Sequence, residues 1–354
     1  MKPAAPVYLD NAATTRLDPD VLDAMLPLLT EQFGNPSSIH SHGRAVRTAI
    51  EKARKTVATL LNTSPAEIFF TSGGTEADNT AIRSSIETYG LVHAITSPLE
   101  HHAVLHTLEH LAKQGTVRLS LVNVDEQGHV DFAHLEKLLR SFPRSFVSLM
   151  HGNNEIGNLL DMNRVGELCR QYGAIFHSDT VQTMGHFRHD LQSLSVDFIV
   201  GAAHKFHGPK GVGFLYVNAE HSGIHPFIYG GSQERNRRGG TENVSGIVGL
   251  AKALEIAYRD MDAHRQHITG LKRRMIDQLR EKMPDVQFNG DSADVDNSLY
   301  TVLNVSLPAS DLSDMLLFSL DIARISASGG SACSSGSNVG SHVLSALPGL
   351  DQDR

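Results

Sequence analysis

Reactive side chains stand at a few marked places in this sequence. Lys205 lies in Ala202-Ala203-His204-Lys205-Phe206-His207-Gly208, directly after the apolar run Phe198-Ile199-Val200. A lysine at the C-terminal end of an α/β strand sits where such sheets gather their ligands. Desolvation there favours the neutral amine, which can form an imine with a carbonyl. The competing reading is a lysine that merely begins a solvent-exposed loop. Asp179, in His177-Ser178-Asp179-Thr180, also ends an apolar run. A carboxylate there can hold a protonated pyridine nitrogen, or can simply cap the turn that follows. Gln182 lies three residues on, within reach of the same ligand.

Gly73-Gly74-Thr75 joins a strand-like run to a helical one. Backbone N–H groups and the helix dipole favour an anion there, with the Thr75 hydroxyl as a further donor. Such a turn is also an ordinary tight connection and N-cap. His101 and His102 open another helical run, where a histidine can stack on a ring, move protons, or be a solvated surface group. Neither this pair nor His204/His207 has a cysteine or carboxylate at zinc-site spacing, so no metal is expected. Cys333 lies among Ser, Ala and Gly with no large apolar neighbour, which suits an exposed, travelling nucleophile. Cys169 falls on an apolar helical pattern with Val165 and Leu168 and reads as structural.

These groups need a scaffold, and the hydrophobic periodicity supplies one. Helical spacing marks 43–61, a helix from near Thr75, and helices at 102–113, 131–142, 161–172 and 244–282. Apolar runs at 68–70, 91–96, 117–124, 145–151, 174–178, 196–202 and 212–217 read as strands. Buried strands alternating with helices imply an α/β fold around a mostly parallel sheet covered on both faces. Residues 230–241 are polar, basic and glycine-rich, and read as a loop. The long helix after them is the candidate domain connector. Beyond it, Tyr300–Val305 reads as a strand, with a helix near 311–320 and a small-residue loop from Ser326 to Gly340.

A chain of 354 residues, 40% hydrophobic and 20% charged, is an ordinary globular protein long enough for two domains. Its formal net charge of −8 offers no basic surface for nucleic acid. No apolar run reaches the roughly 18 residues of a membrane span, and the N-terminus lacks a signal-peptide core. Two cysteines are too few for a disulfide scaffold, so the expected setting is the reducing cytoplasm.

Taken in order along the chain, the motifs resemble a known family. They are Tyr8 to Thr15, Phe33 to Ser38, Thr71 to Asn79, Glu100 to Val104, Asn153 to Gly157, Asp179 to Gln182, His204 to Gly211, Arg238 to Thr241 and Ser331-Ala332-Cys333. The chain is similar to the group I cysteine desulfurases, of the nitrogen-fixation and iron–sulphur-cluster type, within the class V aminotransferases. That resemblance implies the fold-type I architecture of pyridoxal-phosphate enzymes, with a mostly parallel seven-stranded sheet flanked by helices. It also implies a large cofactor-binding domain, 16–258, and a smaller α+β domain made of 1–15 and 259–354. By the same resemblance, Lys205 would bind pyridoxal phosphate as a Schiff base and move the substrate Cα proton. Asp179 would face the ring nitrogen and Gln182 the ring oxygen. Gly74, Thr75 and His204 would hold the phosphate, joined by Thr241 from a second subunit of a homodimer. His101 would stack on the ring and assist proton transfer, and Asn153 would face cofactor and substrate carboxylate. Cys333 would attack the sulphur of L-cysteine, leaving alanine and a persulfide for an iron–sulphur scaffold or another acceptor protein.

Two departures accompany the resemblance. Where the family has a serine three residues before the lysine, this chain has Ala202, a loss of one phosphate hydrogen bond worth about 1–3 kcal/mol. The sequence ends at Arg354, short of the strand and helix whose arginine clamps the substrate carboxylate in the family, so the small domain reads as truncated. Selenocysteine lyase, and a catalytically impaired homologue acting as a binding component, are the alternative readings.

Overall fold

The computed structural model describes residues 5–308, 315–329 and 340–349. Its strands are β1 (Val7–Tyr8), β2 (Ile68–Thr71), β3 (His93–Thr96), β4 (Arg118–Leu121), β5 (Phe146–Ser148) and β6 (Ile175–Ser178). They continue with β7 (Phe198–Ala202), β8 (Gly213–Val217), β9 (Gln287–Phe288), β10 (Val305–Ser306) and β11 (Ile325–Ser326). The helices are α1 (Pro19–Thr30), α2 (Ser41–Leu60), α3 (Gly74–Tyr89), α4 (His102–Lys113) and α5 (Phe132–Ser141). After them come α6 (Met162–Tyr172), α7 (Gln233–Asn236, a single turn with left-handed backbone at Glu234 and Arg235 within the expected loop), α8 (Val244–Lys282), α9 (Leu316–Ile322) and α10 (His342–Ala346).

Seven strands form the central sheet in the order β2-β8-β7-β6-β5-β3-β4. From β4 to β7 every pairing is parallel, while β8 runs antiparallel between β7 and β2. Because side chains alternate across a strand, each strand feeds two cores. Ile95, Val147, Phe176, Ile199 and Phe214 point to one face, under α2, α5, α6 and the first half of α8. Their neighbours Ala94, Phe146, Ile175, Phe198 and Leu215 point to the other, under α3 and α4. Both faces are therefore closed, as near-continuous apolar strands require. The strand ends are consequently the part of the sheet open to a ligand.

Helix α8 has 39 residues and spans about 58 Å at 1.5 Å per residue. Its apolar stripe, Ile247, Leu250, Ala251, Leu254 and Ala257, joins the core that also holds Val21 of α1 and Ile50 of α2. The strand expected at Tyr300–Val305 is largely replaced by turns, and only Val305–Ser306 pairs, with β9. The local apolar pattern is real, since Leu299, Tyr300 and Val302 are buried. Their backbone turns because Leu299 N–H bonds to Gly157 O at 2.8 Å and Val302 N–H to Leu299 O at 3.1 Å. The helix expected near 311–320 is found at Leu316–Ile322, while 309–314 lie outside the described residues. No helix among the described residues is long and apolar enough to cross a membrane.

Candidate active site

Five crossings of the sheet end on the same side, and each delivers a polar side chain there. β2 leads into Ser72–Thr75, β3 toward Glu100 and His101, β5 toward Asn153, β6 into Asp179, and β7 into His204 and Lys205. Parallel strands bring their C-terminal ends together, which is how residues far apart in sequence meet.

The turn before α3 is built for close approach. A Cβ on Gly74 would lie 2.8 Å from Val181 Cγ2 and 3.8 Å from Ala202 Cβ, so this glycine lets the turn press against the ends of β6 and β7. Ser72 N–H bonds to Glu76 Oε2 at 2.9 Å, and Arg238 grips both oxygens of Glu76 at 2.9 and 3.2 Å. Gly73 caps α3 without any side-chain hydrogen bond, and Thr75 is exposed beside it.

Lys205 Nζ donates to the carbonyls of Ala12 and Ala13, and Gln182 Nε2 donates to the same Ala12 oxygen at 3.0 Å. The segment 12–15 thus lies across the lysine. Thr15 N–H and Oγ1 both bond to His204 O at 2.9 Å, and Thr14 Oγ1 lies 3.2 Å from His204 Nδ1. Burial, reinforced by Lys205 and Lys210, lowers His204 to about 4 and so keeps it neutral. Asp179 is buried and accepts Val181 N–H at 2.8 Å. Burial raises its pKa, against the opposing pull of His101, the Val181 N–H and Lys205.

His101 is also kept neutral, chiefly by burial. Its Nδ1 accepts Ala103 N–H at 3.2 Å, which places the proton of the neutral ring on Nε2. Asn153 holds its own loop: Nδ2 donates to Leu99 O at 2.9 Å, and Oδ1 accepts the N–H groups of Glu155 and Ile156 at 2.9 and 3.0 Å. Thr241 is exposed, in the loop before α8, alongside Thr71, Ser72 and Gly211. Cys333 lies outside the described residues. Cys169 is buried in α6, and burial pushes its thiol far above the usual range, as a structural cysteine requires.

Several buried groups at this end of the sheet were not marked by local sequence. Asp78, on the first turns of α3, brings a carboxylate oxygen to within 4.8 Å of ligand atoms of both Asp179 and His101. Glu100 and His177 are buried beside them. In sequence, no carboxylate stands at metal-site spacing from His101; the fold brings Asp78 and Asp179 to it. The one hint was an aspartate at an otherwise inward-facing helix position, between Ala77 and Ala81.

Similarity to known proteins agrees with this geometry. The aminotransferase class-V family model matches residues 7–346. A protein named cysteine desulfurase IscS from Dictyoglomus turgidum is 45% identical over 96% of this chain and 85% of its own length. A putative cysteine desulfurase IscS of Bacillus subtilis is 41% identical over 98% of this chain and 90% of its own. Among solved structures, a NifS-like protein superposes with a TM-score of 0.89 at 37% identity, covering 99% of this chain and 91% of that one. The structure described as SspA in complex with cysteine gives 0.84 at 30% identity, covering 98% and 95%.

Proposed function

The chain belongs to the aminotransferase class-V family, and on that footing we propose that it is a pyridoxal-phosphate-dependent cysteine desulfurase. The reading rests on one observation above all. A lysine, a buried carboxylate and a neutral histidine meet at the C-terminal edge of the sheet, in a chain 45% identical to a named cysteine desulfurase. The donor set suits the cofactor. Asp179 is an anion for a protonated ring nitrogen, Gln182 an amide donor for a ring oxygen, and the uncapped start of α3 a seat for the phosphate. Once bound, pyridoxal phosphate supplies an electron sink conjugated to the substrate Cα.

The chain's own residues do the rest. Lys205 anchors the cofactor through its amine and then carries the substrate Cα proton. His101, with its proton on Nε2, is placed to donate and recover a proton near the ring. Cys333 attacks the substrate sulphur as a thiolate. The carbon–sulphur bond breaks, and alanine leaves behind a persulfide on Cys333. An unperturbed thiol is only a few per cent ionised at neutral pH, so a neighbouring base or cation must assist it.

The remaining parts of the proposal follow from the same reading. Exposed Thr241 reaches the phosphate seat of the other subunit in a homodimer, and Cys333 passes sulphur to an iron–sulphur scaffold or other acceptor in the cytoplasm. Residues 16–258 form the large domain, and 1–15 with 259–354 the small one, a division supported by the parallel pairing of β1 with β11.

The test is the purified chain with pyridoxal phosphate and L-cysteine. It should develop a visible absorbance band and yield alanine and sulphide in equal amounts under reducing conditions. Lys205→Ala should lose the band. Cys333→Ala should keep the band and lose alanine formation. A wild-type chain that stays colourless, or that makes no alanine, refutes the proposal.

A further inference from the structure

Behind the proposed cofactor seat lies a cluster of acids more buried than the reaction needs. Asp78 is 1% exposed, and its Oδ1 has no hydrogen-bond partner. His177 Nε2 lies 3.4 Å from that oxygen and is itself buried and without a hydrogen-bond partner. The other ring nitrogen of His177 is satisfied by Ser148 Oγ at 2.8 Å. A proton on Asp78 would turn its O–H toward the Nε2 lone pair, with Nδ1–H turned to Ser148.

The pair Asp78 and Asp179 cannot both ionise in such a dry place, because like charges within a few ångströms push one carboxyl to keep its proton. Their surroundings decide which. Asp179 accepts the Val181 N–H and feels His101 and Lys205. Asp78 has only the neutral rings of His177 and His101 nearby, and Asp179 and Glu100 add their repulsion. Glu100 has one oxygen on Met150 N–H at 2.7 Å and the other buried without a partner. The groups facing Asp78 are thus His177 and Asp179 from β6 and its end, Glu100 and His101 from the entry to α4, and more distantly Lys205 from the end of β7.

We infer that Asp78 is the proton-holding partner of Asp179, keeping one proton in the folded chain so that Asp179 stands as the anion at the end of β6. The role of that anion at a ring nitrogen rests on the function proposed above; the placement of the proton does not. Asp78 touches no substrate in this scheme and is a positioning residue that acts through Asp179. Burial, then Asp179 and Glu100, hold its pKa well above the ordinary aspartate range, in agreement with the geometry.

The experiment uses the chain without cofactor and Asp78→Asn, an amide of the same shape that never ionises. Folded Asp78 holds a proton that the unfolded chain has released above its ordinary pKa of 3.8. The unfolding constant of wild type relative to Asp78→Asn should therefore rise by up to about tenfold per pH unit between pH 5 and 7. A ratio that stays flat overturns the inference. Infrared spectra at neutral pH should show a protonated-carboxyl C=O band that Asp78→Asn reduces, the part from Glu100 remaining. An undiminished band also overturns it. Asp179→Asn gives a reading that does not depend on the first variant folding. Removing the neighbouring charge should let Asp78 lose its proton at lower pH, and a band with unchanged pH dependence refutes the coupling. None of these readings uses the cofactor, so an inactive enzyme would leave them standing, and their failure would leave the cofactor reading intact.

Discussion

Glu234, buried in the loop between β8 and α8, anchors that loop to α2 and β2. Its two carboxylate oxygens accept Arg54 Nη1 and Nη2, each at 2.8 Å, and one of them also accepts Phe70 N–H at 2.8 Å. Both side chains are almost wholly buried, 3% and 2% exposed, and the Arg54 guanidinium lies 4.8 Å from the centroid of the Phe70 ring. Glu234, Arg235 and Asn236 all have positive φ, at 44, 56 and 64°, a left-handed run that non-glycine residues adopt only when held there. The ion pair is what holds it. Glu234→Ala strands a buried guanidinium and an edge N–H, for a loss of about 3–5 kcal/mol. Arg54 keeps only Ile68 O at 2.7 Å and half-exposed Glu51 at 3.2 Å. Glu234→Gln retains an acceptor for Phe70 and one for Arg54 and should cost about 2 kcal/mol. Urea unfolding of the cofactor-free chain measures both. In a double-mutant cycle with Arg54→Ala, the double variant should be more stable than the summed single losses predict, because the second removal no longer strands a charge. A loss below about 1 kcal/mol for Glu234→Ala, or strict additivity, refutes the reasoning. The same variant should also weaken cofactor retention, since the loop carries Arg238, which grips Glu76 next to the phosphate turn.

Restoring a hydroxyl with Ala202→Ser should tighten cofactor binding by about 1 kcal/mol, or roughly fivefold, as read from absorbance during dialysis; the position is buried, and its Cβ lies 3.8 Å from where a Cβ on Gly74 would stand. Gly166→Ala should destabilise by about 1–3 kcal/mol in urea, because its Cβ would fall 2.0 Å from the Ser195 carbonyl oxygen, and backbone cannot yield as a side-chain tip can. Acid should unfold the chain steeply. Burial lowers His151 and His177 to about 3 and His186 and His189 to about 4, so they stay neutral in the fold while the unfolded chain protonates below 6.5. Their stability is present above pH 6.5 and is lost as pH falls toward 4, each histidine giving about 1.4 kcal/mol per pH unit. Asp78 and Glu100 work in the opposite direction and offset part of that loss. His177→Gln should reduce that slope by about 1.4 kcal/mol per unit; a stability constant from pH 7 to 4.5 contradicts the assignment.

What the residues determined locally is considerable. Alternation and helical spacing placed α3, α4, α6, α8 and the seven strands of the sheet, because burial of a strand face or helix stripe leaves a periodic trace in the chain itself. Lys205 and Asp179 were visible for the same reason, each a charged residue where an apolar strand stops. Helix α1 was not marked, although Asp18 caps it and Pro19 opens it, because Pro27 interrupts the pattern. Residues 300–304 read as strand because their side chains are apolar, and turn because Gly157 claims the Leu299 N–H. Contacts between distant segments leave no such trace. Arg54 and Glu234 are 180 residues apart, and nothing near either names the other. The approach of Asp78 to Asp179, His101 and His177 arises only when parallel strands gather their ends and α3 lies across them. An aspartate alone on a helix is cheap to ionise in water. Only the tertiary structure, by removing that water and placing a second carboxylate beside it, decides where the proton stays.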